Sequence, residues 1–112
     1  MNDTEFMDRA EQLLQALEAE CDRISQELDV DLDSQRSGAM VTLTFADRSQ
    51  IVVNLQKPLH EVWLATRLGG YHYKWIGSHW ADTKSGEEFA QRLTNDATQH
   101  AGTSLRFLLS KA

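Results

Sequence analysis

The chain has 112 residues, 41% hydrophobic and 25% charged, which suits one soluble domain with a single core and leaves no room for two. One cysteine, Cys21, excludes an internal disulfide and a CxxC metal site, and it fits a reducing compartment. The net charge of −6 is uneven: residues 1–33 hold eleven Asp/Glu against two Lys/Arg, and residues 34–112 hold six against nine. A negative field gathered in the first third argues against nucleic acid and anionic membranes, and for cations or a basic protein partner.

No apolar run approaches the ~18 residues of a membrane span. The start, Met1-Asn2-Asp3-Thr4-Glu5, lacks the basic n-region of a signal peptide and the Arg-rich character of a transit peptide. The chain is therefore expected to stay in the cytoplasm.

The first helix is predicted from about Thr4 to Leu28, opened by a capping-box pattern of Asn2 with Glu5. At 100° per residue, Phe6, Ala10, Leu13, Leu14, Leu17, Cys21, Ile24 and Leu28 share one face. Asp8, Glu11, Gln15, Glu18 and Asp22 cluster on another, so the polar side is almost purely acidic. Asp29 to Asp33 alternates strictly and predicts a strand with Val30 and Leu32 inward and three aspartates outward. Gln35 to Gly38 reads as a turn.

Further strands are expected at Ala39–Phe45, Ile51–Gln56, Glu61–Ala65, Tyr71–Trp75 and around His79–Asp82. Turns at 46–49, 57–60 and Gly69-Gly70 separate them. In the third of these strands Val62 and Leu64 point inward, which leaves Glu61 and Trp63 facing out; in the fourth, Tyr73 and Trp75 point inward and His72 and Lys74 outward. Ser85-Gly86-Glu87-Glu88 reads as a capping box for a second helix ending at Ala101 before Gly102, followed by an apolar tail, Leu105 to Leu109. The fold class is α+β: two terminal helices packed on one face of an antiparallel sheet, the other face open.

Two surfaces carry candidate chemistry. Glu11, Glu18, Asp22, Glu27, Asp29, Asp31 and Asp33 form one negative ridge if the helix edge lies beside the first strand. Oxygen ligands suit hard or borderline cations, and no counter-charge is evident in the pattern, so each added cation relieves repulsion. The spacing has no EF-hand or HExxH signature, and a solvated helix face is the plain alternative. On the outward sheet face, Trp63 with Asn54, Gln56, Glu61 and His72 resembles an interface anchor ringed by polar groups, unless the 57–60 loop covers it. His60, His72, His79 and His100 lack ligand spacing and read as surface or turn residues; Cys21 reads as an inert core thiol. No nucleophile constellation or phosphate loop is present in the pattern, which gives little support to catalysis.

The run from Asn54 through Lys57-Pro58-Leu59-His60-Glu61-Val62-Trp63-Leu64-Ala65 to Thr66, with Gly69-Gly70-Tyr71-His72-Tyr73 behind it, resembles the frataxins, and within them the bacterial members. Asn2-Asp3-Thr4-Glu5-Phe6 and Ser85-Gly86-Glu87 fit the same family, so the resemblance spans essentially one domain, 1–112. It implies weak binding of ferrous or ferric iron along the first helix and strand. It also implies docking to the cysteine desulfurase and the scaffold protein of iron–sulfur cluster assembly. Glu18, Asp22, Asn54, Gln56, Trp63 and His72 would be the contact residues. It implies a monomer without iron that can form iron-dependent oligomers. The competing readings are a ferroxidase on the acidic ridge and a nucleic-acid module on the open sheet; the charge opposes the latter. The chain departs from the family pattern in four places. Arg23, Ser25 and Gln26 dilute the ridge, Glu61 stands where Gln is common, Lys74 stands where Asp is common, and the tail past Phe107 is longer than in some members.

Overall fold

The structure, a computed structural model, describes residues 1–109; the last three residues of the tail, 110–112, lie outside the described residues. Helix α1 spans Asp3–Glu27. Asn2 caps it, its side-chain Oδ1 accepting the Glu5 N–H at 2.8 Å, and Asp3 and Glu5 place negative charge at the positive end of the helix dipole. Its buried stripe is Phe6, Ala10, Leu13, Leu14, Leu17, Cys21 and Ile24; Leu28, expected on that face, is exposed at the C-cap.

The sheet has six strands in sequence order, every neighbouring pair antiparallel: β1 Leu32–Ser37, β2 Met40–Phe45, β3 Gln50–Gln56, β4 Glu61–Thr66, β5 Gly69–Trp75 and β6 Trp80–Asp82. A single 3-10 turn, Lys57–Leu59, joins β3 to β4. Inward residues Val41, Leu43, Phe45, Ile51, Val53, Leu55, Val62, Leu64 and Tyr73 are buried. Helix α2, Phe89–Ala101, adds Phe89, Leu93 and Ala97 to the same core and ends at Gly102, whose φ of 71° is the left-handed geometry that favours glycine there. The tail buries Leu105, Phe107 and Leu109. Hydrogen bonds fix it to both helices: Thr94 Oγ1 accepts the Phe107 N–H, Glu20 accepts the Leu108 N–H, and Arg23 donates to the Arg106 carbonyl. No helix among the described residues is long and apolar enough to cross a membrane.

Several expectations need correction. The first strand does not run from Asp29 to Asp33. Asp29 takes a φ of 52° just after the helix, which reverses the chain, and pairing starts only at Leu32↔Phe45. Gln35 to Ser37 is strand, not turn; the turn is Gly38-Ala39, with Gly38 at φ 59°. Gly69-Gly70 likewise belongs to a strand, and the chain turns at Arg67-Leu68. A Cβ on Gly69 would lie 2.8 Å from the Tyr71 hydroxyl, so the absence of a side chain makes room for that ring. Trp75 does point inward as expected: half-buried, it packs against the core and the Trp80 ring, with the Arg9 guanidinium 4.5 Å from its ring centroid. The second helix is not capped by Ser85. Asp82 Oδ1 gathers the N–H groups of Lys84 and Ser85 into a turn, Ser85 Oγ accepts from Glu87 N–H, and the helix begins after Glu88.

His100 is not a surface histidine. It is 4% exposed, its Nδ1 lies 2.7 Å from Ser49 Oγ, and its Nε2 accepts the Arg67 backbone N–H. It therefore ties the end of α2 to the β2–β3 and β4–β5 hairpins. Burial, and then the neighbouring Arg67 charge, hold its pKa below the ordinary value.

Candidate metal and partner surfaces

The acidic residues gather where α1 runs beside β1, the edge strand of the sheet. Glu11, Gln15, Glu18 and Asp22 recur at three- and four-residue steps along one stripe of α1. Glu27 closes the helix, Asp29 and Asp31 lie in the connection, and Asp33 lies on β1. Leu32 is buried and Asp33 exposed, so Asp33 projects on the side away from the helices. The ridge therefore wraps the sheet edge instead of lying on one plane.

The ridge is not free of counter-charges, contrary to the expectation. Arg36, on the helix-facing side of β1, donates to both oxygens of Glu11, the Nη2–Oε1 bond measuring 2.6 Å, and lies 3.6 Å from Glu18. Its Nε is also held by the Gly38 carbonyl at 3.1 Å. These hydrogen bonds lower the Glu11 pKa and raise that of Arg36. Arg23 pairs with Glu20 at 2.9 Å and Glu27 at 3.2 Å. Asp22, Asp29, Asp31 and Asp33 are exposed and enter no ion pair among the described residues. No three His, Cys, Asp or Glu side chains converge to hold one ion among the described residues.

Arg23 is visible beside the ridge in the sequence, but Arg36 is not, because a turn over 35–38 leaves its direction undefined; once β1 extends to Ser37, period-2 alternation puts Leu32, Ser34 and Arg36 on the helix side.

The open face brings the other candidates together. Register places Met40 opposite Asn54, Asn54 opposite Trp63 and Trp63 opposite His72, one row across four strands. Gln56 pairs with Glu61 on the adjacent rung. The Trp63 and His72 rings stack at 4.2 Å between centroids, with 6° between planes. Trp63 Nε1 donates to Glu61 Oε1 at 2.9 Å, and Glu61 also faces His72 at 3.4 Å and Lys74 at 3.7 Å. Lys74 Nζ reaches the Leu59 carbonyl, which fastens the 57–60 connection to β5. Trp63 is thus half-buried, its indole orientation fixed before any partner arrives. A shallow depression of about 270 Å³ lies between Met40, Val52, Asn54, Trp63, Ala65 and His72. The remaining candidates fall outside both surfaces. His60 bonds to Asp3 and stacks on Phe6, and Cys21 is a buried thiol whose pKa burial pushes up to about 12.

A two-helix layer over a six-stranded antiparallel sheet, with an acidic edge and an open face, defines a class that comparison identifies. Residues 1–103 match the frataxin-like domain, and the chain belongs to the frataxin family. It is 60% identical over 107 residues to the iron-sulfur cluster assembly protein CyaY of Verminephrobacter eiseniae, an alignment covering 96% of this chain and 98% of that one. It is 57% identical over 110 residues to the protein of the same name from Paracidovorax citrulli, covering 98% and 100%. Among solved structures, frataxin from Psychromonas ingrahamii superposes with a TM-score of 0.84 at 35% identity, covering 96% of this chain and 99% of that one. Trimeric yeast frataxin complexed with ferrous iron superposes with a TM-score of 0.73 at 21% identity, covering 85% and 87%, a likeness of fold.

Proposed function

We propose that this chain is a cytoplasmic adaptor of iron–sulfur cluster assembly. It carries ferrous iron as weakly held cargo on the acidic ridge formed by Glu11, Glu18, Asp22, Glu27, Asp29, Asp31 and Asp33. Through Glu18 and Asp22 it docks a basic surface of the cysteine desulfurase, and it offers Asn54, Gln56, Trp63 and His72 to the scaffold protein. The observation that carries this reading is a set of exposed aspartates that enter no ion pair among the described residues, Asp22 on α1, Asp29 and Asp31 in the connection and Asp33 on β1, together with a preset aromatic row on the open face of the same sheet. The name shared by the relatives, iron-sulfur cluster assembly protein, supports the same role.

Surface carboxylates without a cage exchange ions quickly, which suits cargo and not storage. Dissociation constants of roughly 10⁻⁵ to 10⁻³ M are expected. Calcium, manganese and cobalt should compete, because hard-oxygen ligation without fixed geometry discriminates poorly. An anaerobic ferrous titration followed by NMR tests the reading: the amides of Asp22, Asp29, Asp31 and Asp33 should respond. Responses centred on the histidines would refute it. Capture on immobilised desulfurase, with and without Glu18→Gln and Asp22→Asn, tests the partner. A ferroxidase would instead show oxygen consumption with repeated turnover, and it needs ligands preorganised around one ion.

A further inference from the structure

We propose that Arg36 is a built-in counter-cation that occupies the helical half of the ridge at Glu11, so that metal ions load the aspartate half first and reach Glu11 only when Arg36 is displaced. The inference rests on the ridge reading above and concerns how that site is regulated. Glu11 and Glu18 stand two helical turns apart, and the guanidinium sits between them, engaging both Glu11 oxygens and approaching Glu18 at 3.6 Å. A bidentate guanidinium–carboxylate pair takes one lone pair on each oxygen and neutralises the charge that would draw a metal ion. Arg36 is also pre-positioned: its place on the helix side of β1 and its Nε bond to the Gly38 carbonyl hold the fork in place without help from α1. A divalent ion at Glu11 must therefore displace a cation that is already oriented and tethered. Asp22, Asp29, Asp31 and Asp33 present no such competitor among the described residues. The same division applies to a basic partner, which meets bare charge at the β1 end and compensated charge at the middle of α1.

The geometry also gives the closure a means of opening. Arg36 lies on the edge strand, with no further strand beyond it, and its side chain is 27% exposed. A carboxylate on a partner that reaches this edge can draw the guanidinium off Glu11, and the freed pair then joins the metal surface. Docking an acidic group at β1 would thus enlarge the ridge's capacity for cations.

Cobalt titration of the full chain, read as paramagnetic broadening of backbone amides, tests the closure in three proteins: wild type, Arg36→Gln, and Lys84→Gln. Lys84 follows β6 at the opposite edge of the sheet, so its loss removes the same charge without touching the ridge. In the wild type, broadening should centre on Asp22 and on 29–33 and spare Glu11. In Arg36→Gln it should spread to Glu11 and Glu18, with cobalt binding tighter by about threefold to tenfold, the Coulomb effect of one nearby charge on a divalent ion after screening. Lys84→Gln should resemble the wild type. A readout independent of metal is the Glu11 carboxyl carbon, whose titration should rise toward an ordinary glutamate in Arg36→Gln. If wild-type Glu11 broadens as strongly as Asp31, or if Lys84→Gln matches Arg36→Gln, the closure is overturned while the ridge stands. If no protein broadens along the ridge, both fall.

Discussion

The acidic edge and the open sheet face are held by opposite means. On the edge, Asp22, Asp29, Asp31 and Asp33 are exposed side chains whose effect depends on charge and hardly on conformation. On the face, Trp63 is fixed by a ring stack on His72 and a hydrogen bond to Glu61, so its effect depends on shape. A field tolerates small displacements because Coulomb energy falls off gradually, whereas packing is lost within about an ångström. The edge should therefore govern how fast a partner arrives, and the face how long it stays.

The sharpest test asks whether the face is separable from the fold. Leu64, next to Trp63 in sequence, points to the core and is 1% exposed. Leu64→Ala should cost about 2–5 kcal/mol in urea unfolding, the usual penalty for a core cavity. Trp63→Ala removes a half-buried ring from the other face and should cost about 1 kcal/mol or less. Equal losses would mean that the aromatic row is structural, and the contrast between the two surfaces would collapse.

Next in size is the kinetic contrast. Asp31→Lys with Asp33→Lys should slow association with the desulfurase by about tenfold at low salt and flatten its salt dependence. Trp63→Ala should instead speed dissociation from the scaffold protein and leave the salt dependence unchanged. Surface plasmon resonance over a salt series separates the two. Should the charge reversals act on dissociation alone, the edge is a packed contact and not a steering field.

Periodicity made most of this legible. The α1 stripe, the inward alternation of β2 to β4 and the placement of Trp63 on the face opposite Val62 and Leu64 follow from spacing alone; that Trp63 is half-buried there does not. The row from Asn54 through Trp63 to His72 follows once the register is known, and short hairpins leave little choice of register. Local turn chemistry misled at three places. Gln35 to Ser37 reads as a turn and is strand. Gly69-Gly70 reads as a turn, yet its role is clearance for Tyr71 in a strand, and Ser85 reads as a cap, yet Asp82 controls that turn. The long-range partners were the least legible. Nothing in the sequence near Arg36 mentions Glu11, 25 residues away, nor does anything near His100 mention Ser49, because those contacts exist only after the layers pack.

His100 offers a smaller, pH-based test of the frame behind both surfaces. Its folded pKa is depressed, so the folded state binds fewer protons than the unfolded state as acid is added. Its contribution is fully present above the unfolded histidine value of about 6.5 and is lost as pH falls from there toward the folded value. The protonated ring can no longer accept the Arg67 N–H. Melting temperature should therefore drop between about pH 7 and pH 5 in the wild type. His100→Asn should be less stable at pH 7 and show a shallower drop. Parallel curves for the two proteins would remove His100 from the account. The carboxylates with lowered values, Asp3, Glu11, Glu20 and Asp47, act below this window and do not confuse it.

The smallest effects divide the acidic ridge itself. Asp31 stands between Asp29 and Asp33 and has no cation beside it among the described residues, so neutralising it removes repulsion and no bond. Asp31→Asn should raise the melting temperature by about 1 °C, with weaker cobalt binding. Glu11 has the same chemistry and the opposite setting. Glu11→Gln removes the negative charge and one of the two acceptors that hold Arg36, and leaves a half-buried guanidinium with Glu18 as its nearest carboxylate. Much of the Glu11 pair is open to solvent, so screening keeps the loss small, about 1 kcal/mol or less, a fall of about 2–4 °C. Added salt should shrink both changes, since both are Coulombic at an exposed edge. Differential scanning fluorimetry of the two variants at low and high salt gives the answer. Opposite signs that converge with salt support a ridge divided into a bare half and a paired half, and shifts of the same sign would make it one uniform surface.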